Sequence, residues 1–223
     1  MSYRNSEIQS ELILAKHSIG PVEFLLHPYG GMYWEKYATL FVSDAHFGKV
    51  MHFRKNGIAV PTAAIDENWE KLDAMIQRFT CKKVVFLGDL FHSDENIEWD
   101  HFISLINVYS GIEFQLVRGN HDILDEEKYA LAGINVVESL EIEDFYFSHH
   151  PEDVKEKYNI HGHIHPGVLL RGKGMASKKL ACFYFSEKRG IMPAFGSFTG
   201  TMRVEVKEGD AVFILLDDRV ISM

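Results

Sequence analysis

Lys83-Val84-Val85-Phe86-Leu87-Gly88-Asp89-Leu90-Phe91-His92 runs from an apolar, β-branched stretch straight into a Gly-Asp pair and a histidine. The apolar part reads as a buried strand, which puts Asp89 at its carboxyl end. The same layout recurs on either side. Residues 39–43 lead into Asp44-Ala45-His46, residues 113–117 into Gly119-Asn120-His121-Asp122, and residues 145–148 into His149-His150, with Gly162-His163-Ile164-His165 beyond. One Asp-x-His pair arises by chance and often only hydrogen-bonds at a surface. Five ordered clusters beside strands point to a shared purpose, because in open layered α/β folds the carboxyl-end loops converge on one edge.

The residue types select the chemistry. Carboxylate and amide oxygens with several imidazoles and no thiolate suit Mn, Fe or Zn better than the all-oxygen shell of Ca or Mg. Asp44, His46, Asp89, Asn120, His149, His163 and His165 are the candidate ligands. They outnumber the four that close a tetrahedral zinc site, so two ions are expected. A carboxylate can bridge such a pair at a separation of about 3.5–4 Å. The competing reading makes Asp44 and Asp89 caps of a following helix or turn, and Asn120 a turn residue. The accompanying histidines favour metal. His163 and His165 fall two apart on what reads as an extended segment, and so face the same way. By the same rule His149 and His150 face opposite ways, and His149, first after the apolar run, is the expected ligand. His150 stands as a supporting donor, with ligand or substrate contact as the alternative. His92 takes a supporting role and His161 reads as a satisfied neighbour.

The order D-x-H, G-D-x-x-H, G-N-H-D, H, G-H-x-H over residues 44–165 resembles the calcineurin-like metallophosphoesterase superfamily. Residues 43–49 (Ser-Asp-Ala-His-Phe-Gly-Lys), 53–61, 148–151 (Ser-His-His-Pro) and 193–200 (Pro-Ala-Phe-Gly-Ser-Phe-Thr-Gly) carry the likeness over nearly the whole chain. They resemble one bacterial branch, the ligase-associated DNA damage response endonucleases or PdeM-type phosphoesterases. The resemblance implies an α/β (α+β) fold, a four-layer αββα sandwich of two mixed sheets flanked by helices. It implies Asp44, His46 and His165 on one ion, Asn120, His149 and His163 on the other, and Asp89 bridging both. It further implies a metal-bridging hydroxide as nucleophile, with His121 protonating the leaving oxygen and Asp122 orienting that imidazole. The implied cofactors are two divalent ions, Mn foremost with Fe or Zn as alternatives. Arg54, ten residues past Asp44, is the candidate for substrate phosphate, since a guanidinium holds two phosphate oxygens. The branch implies a nuclease role in DNA repair, with a DNA ligase or helicase as partner.

A chain of 223 residues, 46% hydrophobic and 13% aromatic, can bury one sizeable core. Nothing in it resembles a linker, so a single domain over residues 1–223 is expected. Residues 11–43 read as a strand pair turned at Pro28-Tyr29-Gly30-Gly31 and leading into the first motif strand. Ile65, Trp69, Leu72, Ile76 and Phe79 form one helical stripe and Phe102, Leu105, Ile106 and Tyr109 another. Residues 180–185, 201–206 and 211–216 read as late strands. Helix–sheet pairs early and strands late suggest two packed sheets with helices outside. Cys81 and Cys182 offer no disulfide framework, and no apolar run nears the ~20 residues of a membrane span. The expectation is a cytoplasmic protein without membrane association.

A net charge of −9 opposes tight, sequence-independent binding of a long polyanion. Lys49, Arg54 and Lys55 after the first motif offer a local basic rim. Arg171, Lys173, Lys178 and Lys179 after the last offer either the same or an ordinary solvated turn. The leading expectation is a metal-dependent phosphodiesterase acting on nucleic acid or nucleotide phosphodiesters. A small-molecule phosphatase or cyclic-nucleotide phosphodiesterase is the enzymatic alternative, and a repair-complex binding module the alternative from another class.

Overall fold

The computed structural model describes residues 12–49, 63–91, 97–171, 177–197 and 199–223. Arg54, Lys55, His92 and Lys173 lie outside the described residues. In the first sheet, β1 (Ala15–Ile19), β2 (Val22–Leu26), β3 (Met32–Trp34), β4 (Thr39–Val42), β5 (Lys83–Leu87), β6 (Glu113–Val117) and β7 (Ile134–Val137) lie side by side in chain order. β1 to β4 pair antiparallel, and β4 to β7 run parallel. Parallel neighbours need crossovers. α1 (Ala63–Phe79), α2 (Ile97–Val108) and α3 (Glu126–Leu131) supply them in turn.

The central strands are apolar on both faces because both are covered. Leu40, Val42, Val84 and Phe86 join Leu72, Ile76, Phe102 and Tyr129 of the helices in one core cluster. The alternate residues Phe41, Val85 and Leu87 join Phe147, Phe183 and Phe213 of the second sheet in another. Phe41 stacks on Phe147 with ring centroids 4.3 Å apart.

That second sheet holds β8 (Leu140–Ile142), β9 (Phe145–Ser148), β10 (Tyr158–His161), β11 (Pro166–Arg171), β12 (Ser177–Phe185), β13 (Arg189–Ile191) and β14 (Met202–Arg203) in the order β14-β11-β12-β13-β10-β9-β8. β15 (Ala211–Leu215) pairs with β12, and β16 (Val220–Ser222) with β15. Its outer face carries a smaller cluster of Val168, Cys182, Val212 and Ile214, drawn among the described residues from strands alone. The two mixed sheets are those the resemblance implies, and all three described α-helices cover the first of them. No described helix is long and apolar enough to cross a membrane.

Three local expectations are overturned. Residues 15–42 form four strands, one more than the pair and the motif strand expected, because Gly20, at φ 57°, turns the chain once before the Pro28–Gly31 turn does. Of residues 201–206 only Met202 and Arg203 join a sheet, both exposed and paired at one edge of β11. Residues 162–165 are not extended, since His163 and His165 have φ of 64° and 50°, so the two side chains cannot share a face by strand alternation.

His27 closes the turn between β2 and β3, its buried Nδ1 accepting the Tyr29 N–H at 3.1 Å. That bond needs a neutral ring, and burial, with Arg78 nearby, pushes the His27 pKa down to about 4. The unfolded chain, with a His pKa of about 6.5, therefore binds more protons between those values, and stability falls as pH drops from about 6.5 to about 4. The loss attributable to His27 is about 2 kcal/mol by about pH 5. Melting curves at pH 7 and pH 5 should show a smaller drop in His27→Asn, whose side-chain oxygen can take the same N–H; an equal drop would remove His27 as the cause.

Candidate metal centre

Because β4, β5 and β6 are parallel, their carboxyl ends deliver Asp44, Asp89 and Asn120 to one edge of the first sheet. β9 and β10, also parallel, bring His149 and the residues 162–165 turn to the same place from the second. The loops continue the ladders. Asp44, His46 and Phe47 donate their N–H groups to the carbonyls of Gly88, Asp89 and Leu90 at 3.2, 2.9 and 2.9 Å, and Gly162 N–H bonds the His149 carbonyl at 3.2 Å. Asp44, His46, Asp89, His163 and His165 all have φ between 48° and 64°. Left-handed backbone costs a non-glycine residue about 1–2 kcal/mol, and such outliers cluster where a function requires the geometry. Five of the nine described non-glycine residues with positive φ are candidate ligands.

Asp44 is fully buried. Its Oδ2 accepts the Ser43 hydroxyl and the His163 N–H, the latter at 3.0 Å. Its Oδ1 lies 3.1 Å from His165 Nε2. His165 Nδ1 donates to the Gly200 carbonyl at 3.2 Å, which leaves Nε2 as the lone-pair nitrogen of the neutral ring. Two acceptors therefore face each other. A cation between them resolves the clash, and a proton can substitute: burial lowers the His165 pKa, and the Asp44 carboxylate outweighs it and raises it. His46 completes this group of possible ligands.

The second group repeats the logic. His149 Nδ1 bonds the Leu87 carbonyl at 3.0 Å, so in the neutral ring Nε2 carries the lone pair. That nitrogen lies 3.0 Å from Asn120 Oδ1, 3.2 Å from His163 Nδ1 and 3.4 Å from Asp89 Oδ1. Four groups able to accept thus converge on one point, as donors to a divalent ion do. Asp89 stands between the two groups. Its Oδ1 faces His149, and its Oδ2 lies 3.9 Å from His46 Nε2. These donor sets fit two cations sharing one carboxylate.

Asp122 has a part in the backbone that its place after His121 did not announce. Its Oδ2 accepts the N–H groups of Asp89 and Gly119, both at 2.8 Å. Its Oδ1 accepts those of Leu90 at 2.8 Å and Phe91 at 3.3 Å, with the Tyr129 hydroxyl at 3.5 Å. Both oxygens accept backbone amides, so Asp122 clamps the Asp89 loop to the Asn120 loop. Burial pushes its carboxyl up to about 6, the Gly119 N–H pulling the other way and the Asp89 charge adding to the rise. His121 lies beside Asp89, its backbone N–H bonding Oδ1 at 2.9 Å and its ring centroid 5.8 Å from that of His46. Asp122→Asn keeps the shape but turns an NH2 toward N–H donors. We expect it to lose about 3 kcal/mol, measured as a lower melting temperature in chelator; an unchanged melting curve would remove the clamp.

Lys49, beside the first motif, is half-buried, its pKa lowered by burial against the pull of Asp89 and Asp44. Lys179 donates to the Thr201 carbonyl at 2.6 Å, and with Lys178 is exposed on β12, a strand where a turn was one of the two readings. Residues 193–200 acquire a purpose that their composition alone did not reveal. Phe195 and Gly196 donate to the carbonyls of Ser43 and Asp44 at 2.9 and 3.2 Å, and the Gly200 carbonyl sets the His165 tautomer. A Cβ on Gly196 would come within 2.5 Å of the Ala45 carbonyl oxygen, so only glycine allows this approach. Buried Glu98 accepts the Gly48 N–H at 2.7 Å, and Asn68 accepts the Ser197 hydroxyl at 2.8 Å, tying α2 and α1 to the first motif and this strap.

The calcineurin-like phosphoesterase family model matches residues 37–182. No curated protein is significantly similar in sequence. Among solved structures, the nuclease MPE of Pseudomonas putida superposes with a TM-score of 0.79 at 24% identity, over 91% of this chain and 96% of that one. The phosphoesterase YfcE of E. coli gives a TM-score of 0.39 at 16% identity, over 81% and 88%. The first likeness establishes the fold. With well over half of its length matched, and every candidate ligand inside the matched stretch, the chain belongs to the calcineurin-like phosphoesterases, hydrolases that work with divalent metal ions.

Proposed function

We propose that the protein is a dinuclear phosphodiesterase, formed by one domain and acting on nucleic acid or nucleotide diesters. The observation that carries the reading is Asp89, whose two oxygens face separate sets of converging lone-pair donors. Asp44, His46 and His165 hold the first ion, Asn120, His149 and His163 the second, and Asp89 both. Mn is the first choice, with Fe or Zn as alternatives. Bound divalent ions supply Lewis acidity at phosphoryl oxygens and an acidified water as nucleophile. His121, held beside the bridging carboxylate by its own N–H, delivers a proton to the leaving oxygen. Lys49 adds positive charge at the first motif, and Arg54 is the further candidate for a phosphate oxygen.

The nuclease reading is supported by the loops that resemble the PdeM-type branch and by a fold shared with a protein described as a nuclease. A part in DNA repair, with a DNA ligase or helicase as partner, rests on the branch resemblance. Two free, buried cysteines support a reducing, cytoplasmic setting. One observation favours the small-molecule alternative. The cleft of about 610 Å³ beside the 193–200 strap is lined by Glu67, Glu70 and Asp217 against a single lysine, Lys71, among the described residues. That charge repels a polyanion running in that direction.

The test is Mn-dependent hydrolysis of a chromogenic phosphodiester against the matching monoester, with His121→Ala as control for contaminating activity. Diester preference lost in His121→Ala, followed by cleavage of DNA that weakens steeply with salt, is the expected result. Monoester preference would transfer the reading to a small-molecule phosphatase. Two bound ions without any hydrolysis would favour a binding module.

A further inference from the structure

We propose that His150 is an additional ligand of the second ion, giving that site three imidazoles and a tighter hold on Zn relative to Mn than the first site has. The inference rests on the dinuclear reading above and deepens it. Strand alternation would turn His150 away from His149, but β9 ends at Ser148 and the chain turns there. The Ser148 hydroxyl bonds the His150 carbonyl at 2.6 Å, and buried Asn159 donates to Ser148 Oγ at 2.8 Å. Asn159 also accepts the Glu152 N–H at 2.9 Å, so both limbs of the turn are pinned to β10. The result is convergence. The His150 ring centroid lies 4.7 Å from that of His149 and 4.3 Å from that of His163, and one ligand nitrogen from each of the three falls within 4.8 Å of the others.

An ion bound at about 2.0–2.1 Å by imidazole allows nitrogens up to about 4 Å apart. A small rotation of the exposed His150 ring closes the remainder. His149 approaches from the buried side and His150 from the exposed side. With Asp89, Asn120, His149 and His163 it makes five protein donors and leaves one position for water in an octahedral shell. The two sites then differ in kind. The first has two carboxylates and two imidazoles, the second one carboxylate, one amide and three imidazoles, and imidazole-rich sets hold later first-row ions more tightly.

The experiment is stepwise titration of chelator-stripped protein with Zn²⁺, and separately Mn²⁺, against a chromophoric chelator, for wild type, His150→Ala and His150→Gln. Wild type should bind two ions. In both variants one of the two Zn²⁺ affinities should weaken at least about tenfold, with the other unchanged, and the Mn²⁺ affinities should change less. The visible spectrum of Co²⁺-loaded protein should shift with the loss of one nitrogen. Unchanged Zn²⁺ affinities would overturn the proposal, including the case in which only KM for a diester rises, which would make His150 a substrate contact. Both affinities falling together with a lower melting temperature would overturn it in favour of a structural role. Fewer than two ions in wild type would remove the dinuclear reading and this inference with it, whereas two ions with indifferent variants would remove this inference alone.

Discussion

Replacing Asp89 by Asn is expected to reduce the metal content from two ions to one and lower kcat by at least about 1000-fold. The amide keeps an oxygen where the His121 N–H demands an acceptor, at Oδ1, which is also the oxygen facing His149. Its NH2 must then occupy the Oδ2 position, 3.9 Å from His46 Nε2, where it can neither coordinate nor balance charge. The loss therefore falls on the Asp44–His46–His165 group. Charge stabilisation by the second ion of a pair is worth several kcal/mol in the transition state, and each 1.36 kcal/mol is tenfold in rate. Elemental analysis after gel filtration, together with diester turnover at saturating Mn, checks both halves. Two retained ions with turnover within about tenfold of wild type would sink the bridging role.

Gly119→Ala should be nearly as damaging although it replaces no candidate ligand. A Cβ there would lie 2.9 Å from Gly88 Cα and overlap the backbone nitrogen and side chain of Asp89. Backbone cannot rotate aside as a side chain can, and this backbone is held in place, since Asp122 accepts N–H groups from both Gly119 and Asp89 at 2.8 Å. The methyl group must drive the two loops apart. Overpacking of this kind costs about 1–3 kcal/mol, a melting temperature lower by roughly 2–10 °C in a chain of this size. A displacement of Asp89 by about 1 Å should also cost about 100-fold in turnover. Gly111→Ala is the matched control, because nothing lies within 4 Å of the added Cβ. If both variants melt and turn over alike, the contact between the loops does not position the site.

The fold was legible wherever burial has a period. The alternation Leu40, Phe41, Val42 and Val84, Val85, Phe86 sends odd and even residues into different cores, and the stripe Leu72, Ile76, Phe79 lines the helical one. Strands such as β7, β10, β13 and β16 were not legible. They are three or four residues long, and pairing with a neighbour determines them more than their own composition does.

For the candidate site, residue type and order picked out side chains that the fold brings within reach of one another. Aspartate, asparagine and histidine after buried strands, without thiolates, specify a hard-to-borderline divalent site, and parallel strands leave their carboxyl ends nowhere to go but one edge. What each group does once there was decided by tertiary structure. The bond from His163 N–H to Asp44 spans 119 residues, the left-handed backbone at His163 and His165 sends their rings to different donor groups, and the turn after Ser148 brings His150 back beside His149. Asp122 gathers four amide donors from two loops for the same reason. Local spacing encodes which face of a strand or helix a residue occupies; where two loops without such a period meet, only their packing against each other sets the direction of a side chain.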